Sequence, residues 1–251
     1  MTGFQRARSD VQRTERREGI LRTAAAMLDE MPVSALSLNE LSRRVGLAKS
    51  NVLRYFESRE AVLLDLLADA AAAFLVEITD NLPPTVDPAA SLPVRAGALA
   101  AGLAASFDAH PMLCELIGAQ AAVLERNVST DVALRYKRGS RDSLVGLAAL
   151  LRGLVPELDE PRSAQAAGLV IALVGALWTR GHPAPALVTA YEIEPGLAFM
   201  NPPFRESLDA AIGTVLLGLA AQREGRPIDH DAGPAQIAPS RRPDLAAGRR
   251  R

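Results

Sequence analysis

The chain has 251 residues, 49% of them hydrophobic and 23% charged, with a net charge of −1. This composition excludes a disordered chain, and a nearly neutral chain can bind nucleic acid only through a local basic patch. The single cysteine, Cys114, excludes an internal disulfide and indicates a reducing compartment, so we expect a cytoplasmic protein. Residues 1–18 lack an apolar core, and no secretory signal is therefore expected.

Ala and Leu dominate almost every segment and β-branched alternation is scarce, which predicts an all-α fold. The segment 1–12 is interpreted as a flexible arm. A first helix is predicted over residues 11–31, because four apolar residues recur at helical spacing before Pro32. These residues are Ile20, Ala24, Met27 and Leu28.

The next segment has the pattern of two short helices joined by a glycine. Residues 37–40, SLNE, form a capping box that starts a helix with Leu38, Leu41 and Val45 inside. Gly46 ends that helix, and a second short helix is predicted over residues 49–56. Ser58 then caps a longer helix. This order predicts a helix-turn-helix DNA-binding domain over residues 13–60.

The N-terminal residues of the second helix in such a motif reach base edges in the major groove of DNA. If Val52, Leu53 and Phe56 pack inward, the polar residues of this helix face solvent. The candidate base contacts are Lys49, Ser50, Asn51 and Arg54. Lysine suits guanine, asparagine suits adenine, and serine can serve either base. For an isolated helix the alternative is a merely solvated face.

Arginines surround this motif and can neutralise DNA phosphates. Residues 1–25 hold six arginines against three acidic residues, and three more arginines lie around the motif. The first group is Arg6, Arg8, Arg13, Arg16, Arg17 and Arg22, and the second is Arg43, Arg44 and Arg59. From these, Arg17, Arg43 and Arg44 are candidate phosphate contacts.

Residues 20–67 resemble the N-terminal domain of the TetR family of bacterial transcriptional regulators. The matching features are Ala24, the spacing of apolar residues over 38–46, the pair Tyr55 and Phe56, and SREAVL at 58–63. The resemblance implies an all-helical homodimer in which a DNA-binding head precedes a larger ligand-sensing and dimerising body. Most members of the family are repressors that a small molecule releases from an operator.

By the same resemblance, Lys49, Ser50, Asn51 and Arg54 are the recognition contacts, and Tyr55 and Arg59 contact phosphate. Two positions depart from the family pattern. Ala48 stands where a Ser or Thr cap is frequent, which should weaken the helix start by roughly 1 kcal/mol. Leu53 replaces a common tyrosine, so Arg54 is expected to supply that backbone contact.

Residues 61–225 are predicted to form the ligand-sensing and dimerisation domain, and the Pro-, Gly- and Arg-rich tail 226–251 is predicted to be disordered. The proline-rich stretch 182–203 is interpreted as an elaborated loop between the last two helices. Helices around 164–179 and 204–221 are apolar all round, which predicts burial. Their glycines favour a four-helix interface between two subunits over a simple monomer core, and a membrane span is disfavoured.

The middle helices are expected to enclose an effector pocket. Its candidate lining residues are Phe74, Phe107, His110, Met112, Cys114, Ile117, Tyr136 and Trp178. Each of these alone is more often a simple core residue. With only 4% aromatic residues, a stacking cage for flat cations is disfavoured, and a largely apolar effector is expected.

Catalysis is not expected, since the sequence holds no Glu-x-x-His or Cys–His grouping, no phosphate loop and no nucleophile elbow. No cofactor and no metal are expected, and Cys114 is interpreted as a core residue rather than a redox-sensitive thiol. The predicted function is a homodimeric repressor on a pseudo-palindromic operator of double-stranded DNA. The alternatives are a regulator without a small-molecule ligand, or an activator.

Overall fold

The computed structural model describes residues 2–120 and 123–222, and this part of the chain is helical without a strand. Its helices are α1 (Thr2–Leu28), α2 (Leu38–Val45), α3 (Lys49–Val52), α4 (Arg59–Asn81), α5 (Leu92–Asp108), α6 (Pro111–Gln120), α7 (Thr130–Leu154), α8 (Glu160–Gly181), α9 (Pro185–Ile193) and α10 (Phe204–Ala221). The predicted all-α fold is confirmed. The side chains of Arg6 and Arg8 and the tail 226–251 lie outside the described residues.

The first helix begins at Thr2 rather than near residue 11, so it runs through the segment that was interpreted as an arm. No proline interrupts residues 1–31, and Arg, Gln and Glu are good helix formers, so nothing local stops the helix. The predicted apolar face is confirmed: Ile20, Ala24 and Met27 are fully buried. They pack with α2 and α4 to form the core of the head.

The predicted start and end of α2 are both present. The Ser37 hydroxyl accepts from the backbone N–H of Glu40 at 3.2 Å, and Gly46 ends the helix at φ 73°, a left-handed conformation that favours glycine. The second helix, α3, is shorter than predicted, and one further helical bond carries it to Phe56, whose N–H donates to the Val52 carbonyl at 3.1 Å.

The prediction that Leu53 packs inward is wrong, because Leu53 is 42% exposed. Val52 and Phe56 are almost completely buried and lie one helical turn apart. Leu53 is rotated from Val52 by about 100° around the helix axis, which turns it to solvent. One face of this short helix therefore meets the core and the rest is surface.

Polar contacts join the head to the helices of the body. Asp65 on α4 is almost completely buried and is bound by Arg17 of α1. Arg135 of α7 lies 3.5 Å from the other carboxylate oxygen of Asp65. A buried carboxylate is tolerated only when cations or donors compensate its lost hydration. Asp65 therefore links one helix of the head to two helices of the body.

Two further carboxylates accept backbone N–H groups across the same junction. Glu57, in the turn before α4, accepts from the N–H of Ser129 at the start of α7 at 2.6 Å. These bonds to Ser129 lower the pKa of Glu57. Glu115 on α6 accepts from the N–H of Val33, which lies in the turn between α1 and α2, also at 2.6 Å.

The body is built on α10 packed against α5 and α8, with α7 packed against α4 and α8. Gly175 on α8 was predicted to serve an interface between subunits, but it lies at the crossing of α6 and α8 within one chain. A Cβ atom on Gly118 would lie 3.3 Å from the Gly175 carbonyl oxygen and 2.9 Å from the Thr179 hydroxyl. The two glycines therefore allow the backbones of these helices to approach closely.

α8 and α10 were expected to be buried on all sides, but only one face of each helix is buried. Val170 and Val174 on α8, and Ile212 and Leu216 on α10, are fully buried. The opposite faces are exposed and consist mainly of small residues: Gly168, Ala172 and Ala176 on α8, and Ala210, Thr214 and Gly218 on α10. Within the described part of the chain, α8 alone is long and apolar enough to cross a membrane by length and composition.

The interpretation of residues 182–203 as a loop is wrong. This stretch contains α9 and a 3₁₀ helix over Pro195–Met200. None of the residues in either element is buried, and Ile193 and Phe199 are each 79% exposed. Pro185 lies in the first turn of α9, where its missing N–H costs nothing.

Replacing Asp65 with asparagine should lower the free energy of unfolding by about 1–3 kcal/mol, because the bonds to Arg17 and Arg135 lose their charge. The measurement is urea unfolding followed by circular dichroism. Asp80→Asn, at an exposed position near the end of α4, is the matched control and should change little. Equal stability of the two variants would contradict a linking role for Asp65.

Candidate nucleic-acid interface and internal cavity

The four residues predicted to contact bases share one exposed surface around α3. Lys49, Ser50, Asn51 and Arg54 are all exposed, while Val52 between them faces the core. Within residues 2–120 and 123–222, the side chains of these four residues form no hydrogen bond or ion pair. Their donors and acceptors are therefore available to an external partner.

An open groove of about 1100 Å³ lies between this surface and α1. Its lining includes the cations Arg13, Arg16, Arg22, Arg44 and Arg54, together with Tyr55 and a single acidic residue, Glu15. In the described part of the chain Arg13 and Arg16 have no acidic partner, and Arg16 also lines a smaller pocket with Asn51 and Arg54. The groove therefore presents uncompensated positive charge next to the recognition surface.

Sequence reasoning counted Arg13 and Arg16 in the basic patch but did not select them as contacts. The signal was present, because Arg13, Arg16 and Thr23 recur at helical spacing along one side of α1. Which side faces α3 depends on how the two helices pack, and the sequence does not contain that information directly.

Arg43 and Arg44, which were predicted to contact DNA phosphates, both bind the carboxylate of Glu40. The Nε atoms of Arg43 and Arg44 donate to Glu40 at 2.9 and 3.0 Å, and Arg44 also lies 2.7 Å from Glu30. The hydrogen bonds from Arg43 and then Arg44 lower the pKa of Glu40 to about 2. Arg43 remains largely exposed at the rim of the head, whereas Arg44 is mostly covered.

Arg17 and Arg59, also predicted at phosphates, bind groups of the protein itself. Besides its bond to Asp65, the Arg17 guanidinium lies over the Phe56 ring, 4.9 Å from its centroid. Arg59 donates to the carbonyl oxygens of Leu36 at 3.1 Å and Ser34 at 3.3 Å. Both residues hold the helix-turn-helix frame together, and their contacts with phosphate remain predictions.

The body contains an apolar cavity of about 120 Å³, partly open to the surface, between α4, α5, α6, α7 and α8. Four of the predicted residues line it: Phe74, Phe107, Ile117 and Tyr136. The other apolar lining residues are Leu67, Ala68, Ala71, Leu75, Ile78, Leu113, Leu144, Leu147 and Ile171. The polar lining side chains are Gln120, Ser140 and Ser143.

The polar side chains of the cavity lie on α7 and at the end of α6. Burial raises the pKa of Tyr136 to about 12, so its hydroxyl stays protonated. Sequence reasoning missed the polar residues Gln120, Ser140 and Ser143 and nine of the apolar lining residues, Leu144 among them. The helical spacing of Tyr136, Ser140, Ser143 and Leu147 on α7 is the signal that could have found the α7 residues.

The other four predicted pocket residues are placed elsewhere, and these assignments are corrected. Met112 is half-buried and packs against the core. Cys114 is fully buried, and its thiol donates to the Phe107 carbonyl at 3.2 Å. On α6 the cavity face is formed by Leu113, Ile117 and Gln120, and Cys114 is rotated away from it by helical geometry.

His110 and Trp178 take part in local contacts outside the cavity. The Nδ1 atom of His110 lies 2.7 Å from the Ser106 carbonyl and its Nε2 atom lies 3.1 Å from Glu77. Trp178 stacks on His182 with ring centroids 3.8 Å apart and meets Phe204 edge-on. In the described ranges, no group of three or more His, Cys, Asp or Glu side chains could hold a metal ion.

A helix-turn-helix head with an exposed polar helix, carried on a larger helical body, is the architecture of a DNA-binding regulator. The family model described as bacterial regulatory proteins, tetR family, matches residues 20–66. The model described as Tetracyclin repressor-like, C-terminal domain, matches residues 68–223. The chain belongs to the TetR family of transcriptional regulators.

Solved structures show the same fold at low sequence identity. A TetR transcriptional regulator from Rhodococcus sp. RHA1 is 12% identical, with a TM-score of 0.51 over 82% of this chain and 97% of that one. A protein from Streptomyces coelicolor A3(2), described as a possible TetR family transcriptional regulator, is 18% identical, with a TM-score of 0.51 over 82% and 100% of the two chains. No curated protein matches the chain.

Cys114 should resist alkylation by iodoacetamide in the native protein at about pH 8, because the thiolate is the reactive form. Burial, and secondarily the charge of Asp108, raises the pKa of this thiol to about 12. Mass spectrometry of the intact protein should show modification only after urea unfolding. Rapid labelling of the native protein would contradict the buried position and revive a redox role for this thiol.

Proposed function

We propose that this regulator is a repressor that binds a pseudo-palindromic operator as a homodimer and is released by a small, largely apolar molecule. The observation that carries the proposal is the unpaired polar surface of Lys49, Ser50, Asn51 and Arg54 beside the arginine-lined groove. Such a surface combines groups that read bases with cations that bind phosphates. We expect the protein to act in the cytoplasm.

In this proposal α3 enters the major groove of DNA. Lys49 suits the O6 and N7 acceptors of guanine, and Asn51 can pair with adenine through two hydrogen bonds. Arg13 and Arg16 of α1, which lack acidic partners in the described chain, join Tyr55 as the groups best placed to bind the flanking phosphates. Arg43 extends this cationic rim, and Arg17 and Arg59 act mainly by holding the frame.

The proposed dimer uses α8 and α10. Each of these helices leaves a strip of small, mostly apolar residues exposed, and such strips allow helices of two subunits to pack closely. A two-fold axis would place two copies of α3 in successive major grooves, about 34–36 Å apart. An inverted-repeat operator follows from that symmetry.

The proposed release of DNA depends on α6. Its Leu113, Ile117 and Gln120 line the cavity, while its Glu115 holds the backbone of Val33 in the head. A ligand that displaces α6 would therefore also displace the turn before α2 and change the spacing of the two heads. The presence of a cavity favours this mechanism over a regulator that has no ligand.

Asn51→Ala should relax base choice at one position in each operator half-site and weaken specific binding by about 1–3 kcal/mol. The measurement is selection of bound duplexes from a random DNA library, followed by titration of the enriched site. Asn81→Ala, the same change at the exposed end of α4, should leave selection unchanged. Unchanged base preference in Asn51→Ala would remove this residue from the interface.

Arg16→Gln should weaken binding to all DNA sequences alike, because this residue is proposed to meet phosphate rather than bases. The slope of log affinity against log salt should fall by about 0.9 for each phosphate that the variant no longer neutralises. Arg138→Gln, at an exposed position of α7 outside both the head and the proposed dimer helices, is the charge-matched control. A change in base preference without a change in the salt slope would contradict the assignment.

A further inference from the structure

The apolar cavity shares lining residues with a second groove on the surface of the body. This groove, about 460 Å³, runs between α7 and α8. Gln120, Ser140 and Leu144 line both the cavity and the groove. These three residues form the boundary between the cavity and the groove, which is taken as the mouth of the cavity.

The groove has a cationic rim, unlike the cavity. Its lining includes Lys137, Arg141 and Arg152 against one acidic residue, Glu160. The rest of the lining is mostly apolar, including Val145, which is 63% exposed, and the alanines Ala148, Ala149 and Ala164. A molecule lying in this groove would meet an apolar floor and positive edges.

Two of the three rim cations, Arg141 and Arg152, are held only by exposed ion pairs, whereas the Glu125 carboxylate that pairs with Lys137 is mostly covered. Lys137 lies 2.7 Å from Glu125, Arg141 lies 3.0 Å from its neighbour Asp142, and Arg152 lies 4.0 Å from Glu160. Exposed pairs of this kind contribute little to stability, so their cations can turn to another anion at small cost. Gln120 also donates to Glu125 at 2.7 Å, which places its amide at the mouth beside Lys137.

The lining residues change from apolar at the inner end of the cavity to polar at its mouth. The inner end is formed by Phe74, Phe107 and Ile78, and the mouth by Gln120 and Ser140. An engineered apolar cavity of about 150 Å³ holds one benzene, so the cavity of about 120 Å³ admits only the end of an aliphatic chain. The remainder of such a chain would lie along the apolar floor of the groove, with its polar head at the cations.

We propose that the cavity and groove together bind an amphipathic anion, a straight-chain aliphatic carboxylate, with its chain end between Phe74 and Phe107. The carboxylate lies in the groove beside the mouth, where Arg141 donates to it and where it replaces Glu125 as the acceptor for Lys137 and the Gln120 amide. This inference rests on the proposed function, because it names the chemical class of the effector. It adds an anionic head to the requirement for an apolar body.

The test is calorimetric titration of the full-length protein with octanoate and, separately, with 1-octanol. Both probes have the same chain, but only octanoate carries a charge that Lys137 and Arg141 can bind. Octanoate should bind one site per subunit at least about tenfold more tightly than 1-octanol. Equal affinities, or binding that does not saturate, would overturn the proposal.

Variants locate the two ends of the ligand. Lys137→Gln combined with Arg141→Gln should remove the preference for octanoate and leave 1-octanol binding unchanged. Arg138→Gln, on the same helix but outside both linings, is the matched control and should behave as the unaltered protein. Ala71→Leu, which fills the inner cavity, should weaken both probes, and its helical content and thermal unfolding should be checked by circular dichroism.

Measuring operator binding together with octanoate binding distinguishes a failure of this inference from a failure of the proposed function. Octanoate should release the selected DNA from the unaltered protein, and the Lys137→Gln, Arg141→Gln variant should need a higher concentration. Selection of an inverted repeat without octanoate binding would overturn the carboxylate assignment and leave the DNA-binding proposal standing. Octanoate binding without selection of any DNA would overturn the operator proposal instead.

Discussion

The buried carboxylate of Asp65 is the constraint on which the arrangement of this protein depends. A charge at that depth must be compensated, and its compensating cations come from α1 on one side and α7 on the other. Arg17 is held in turn over the ring of Phe56, the residue that closes the helix-turn-helix core. The position of the recognition helix is therefore tied to the helices that surround the internal cavity.

Two other polar contacts between the head and the body are also made by carboxylates. Glu57 and Glu115 each accept a backbone N–H from the opposite side, so carboxylates supply hydrogen bonds that the turn and the helix start lack on their own. α6 both carries Glu115 and forms one wall of the cavity. A ligand that displaces α6 would therefore also displace Val33 of the head, to which Glu115 is hydrogen-bonded. This contact is a hydrogen bond rather than apolar packing, and a hydrogen bond weakens steeply when its atoms move apart or out of line.

Local signals predicted local structure well, and long-range packing accounts for the errors. Ser37, Gly46 and Ser58 act where they were expected because capping depends on the few residues around them. Leu53 and Cys114 were misplaced because an apolar residue can face either way on a short or crowded helix. Four of the eight predicted pocket residues line the cavity, and the lining residues that were not predicted are nine apolar and three polar side chains that the packing of α4, α6, α7 and α8 brings together.

The sequence by itself determined the helical class, the helix-turn-helix motif and the exposed polar residues of α3, since these follow from periodicity, caps and glycine. Tertiary structure alone decided which arginines are free and which are held internally, because Arg17 and Arg59 differ from Arg16 only in the partners that folding brings to them. It also decided that the apolar cavity lies next to a groove lined by Lys137, Arg141 and Arg152. That arrangement joins residues from α6, α7 and α8, and no stretch of neighbouring residues encodes it.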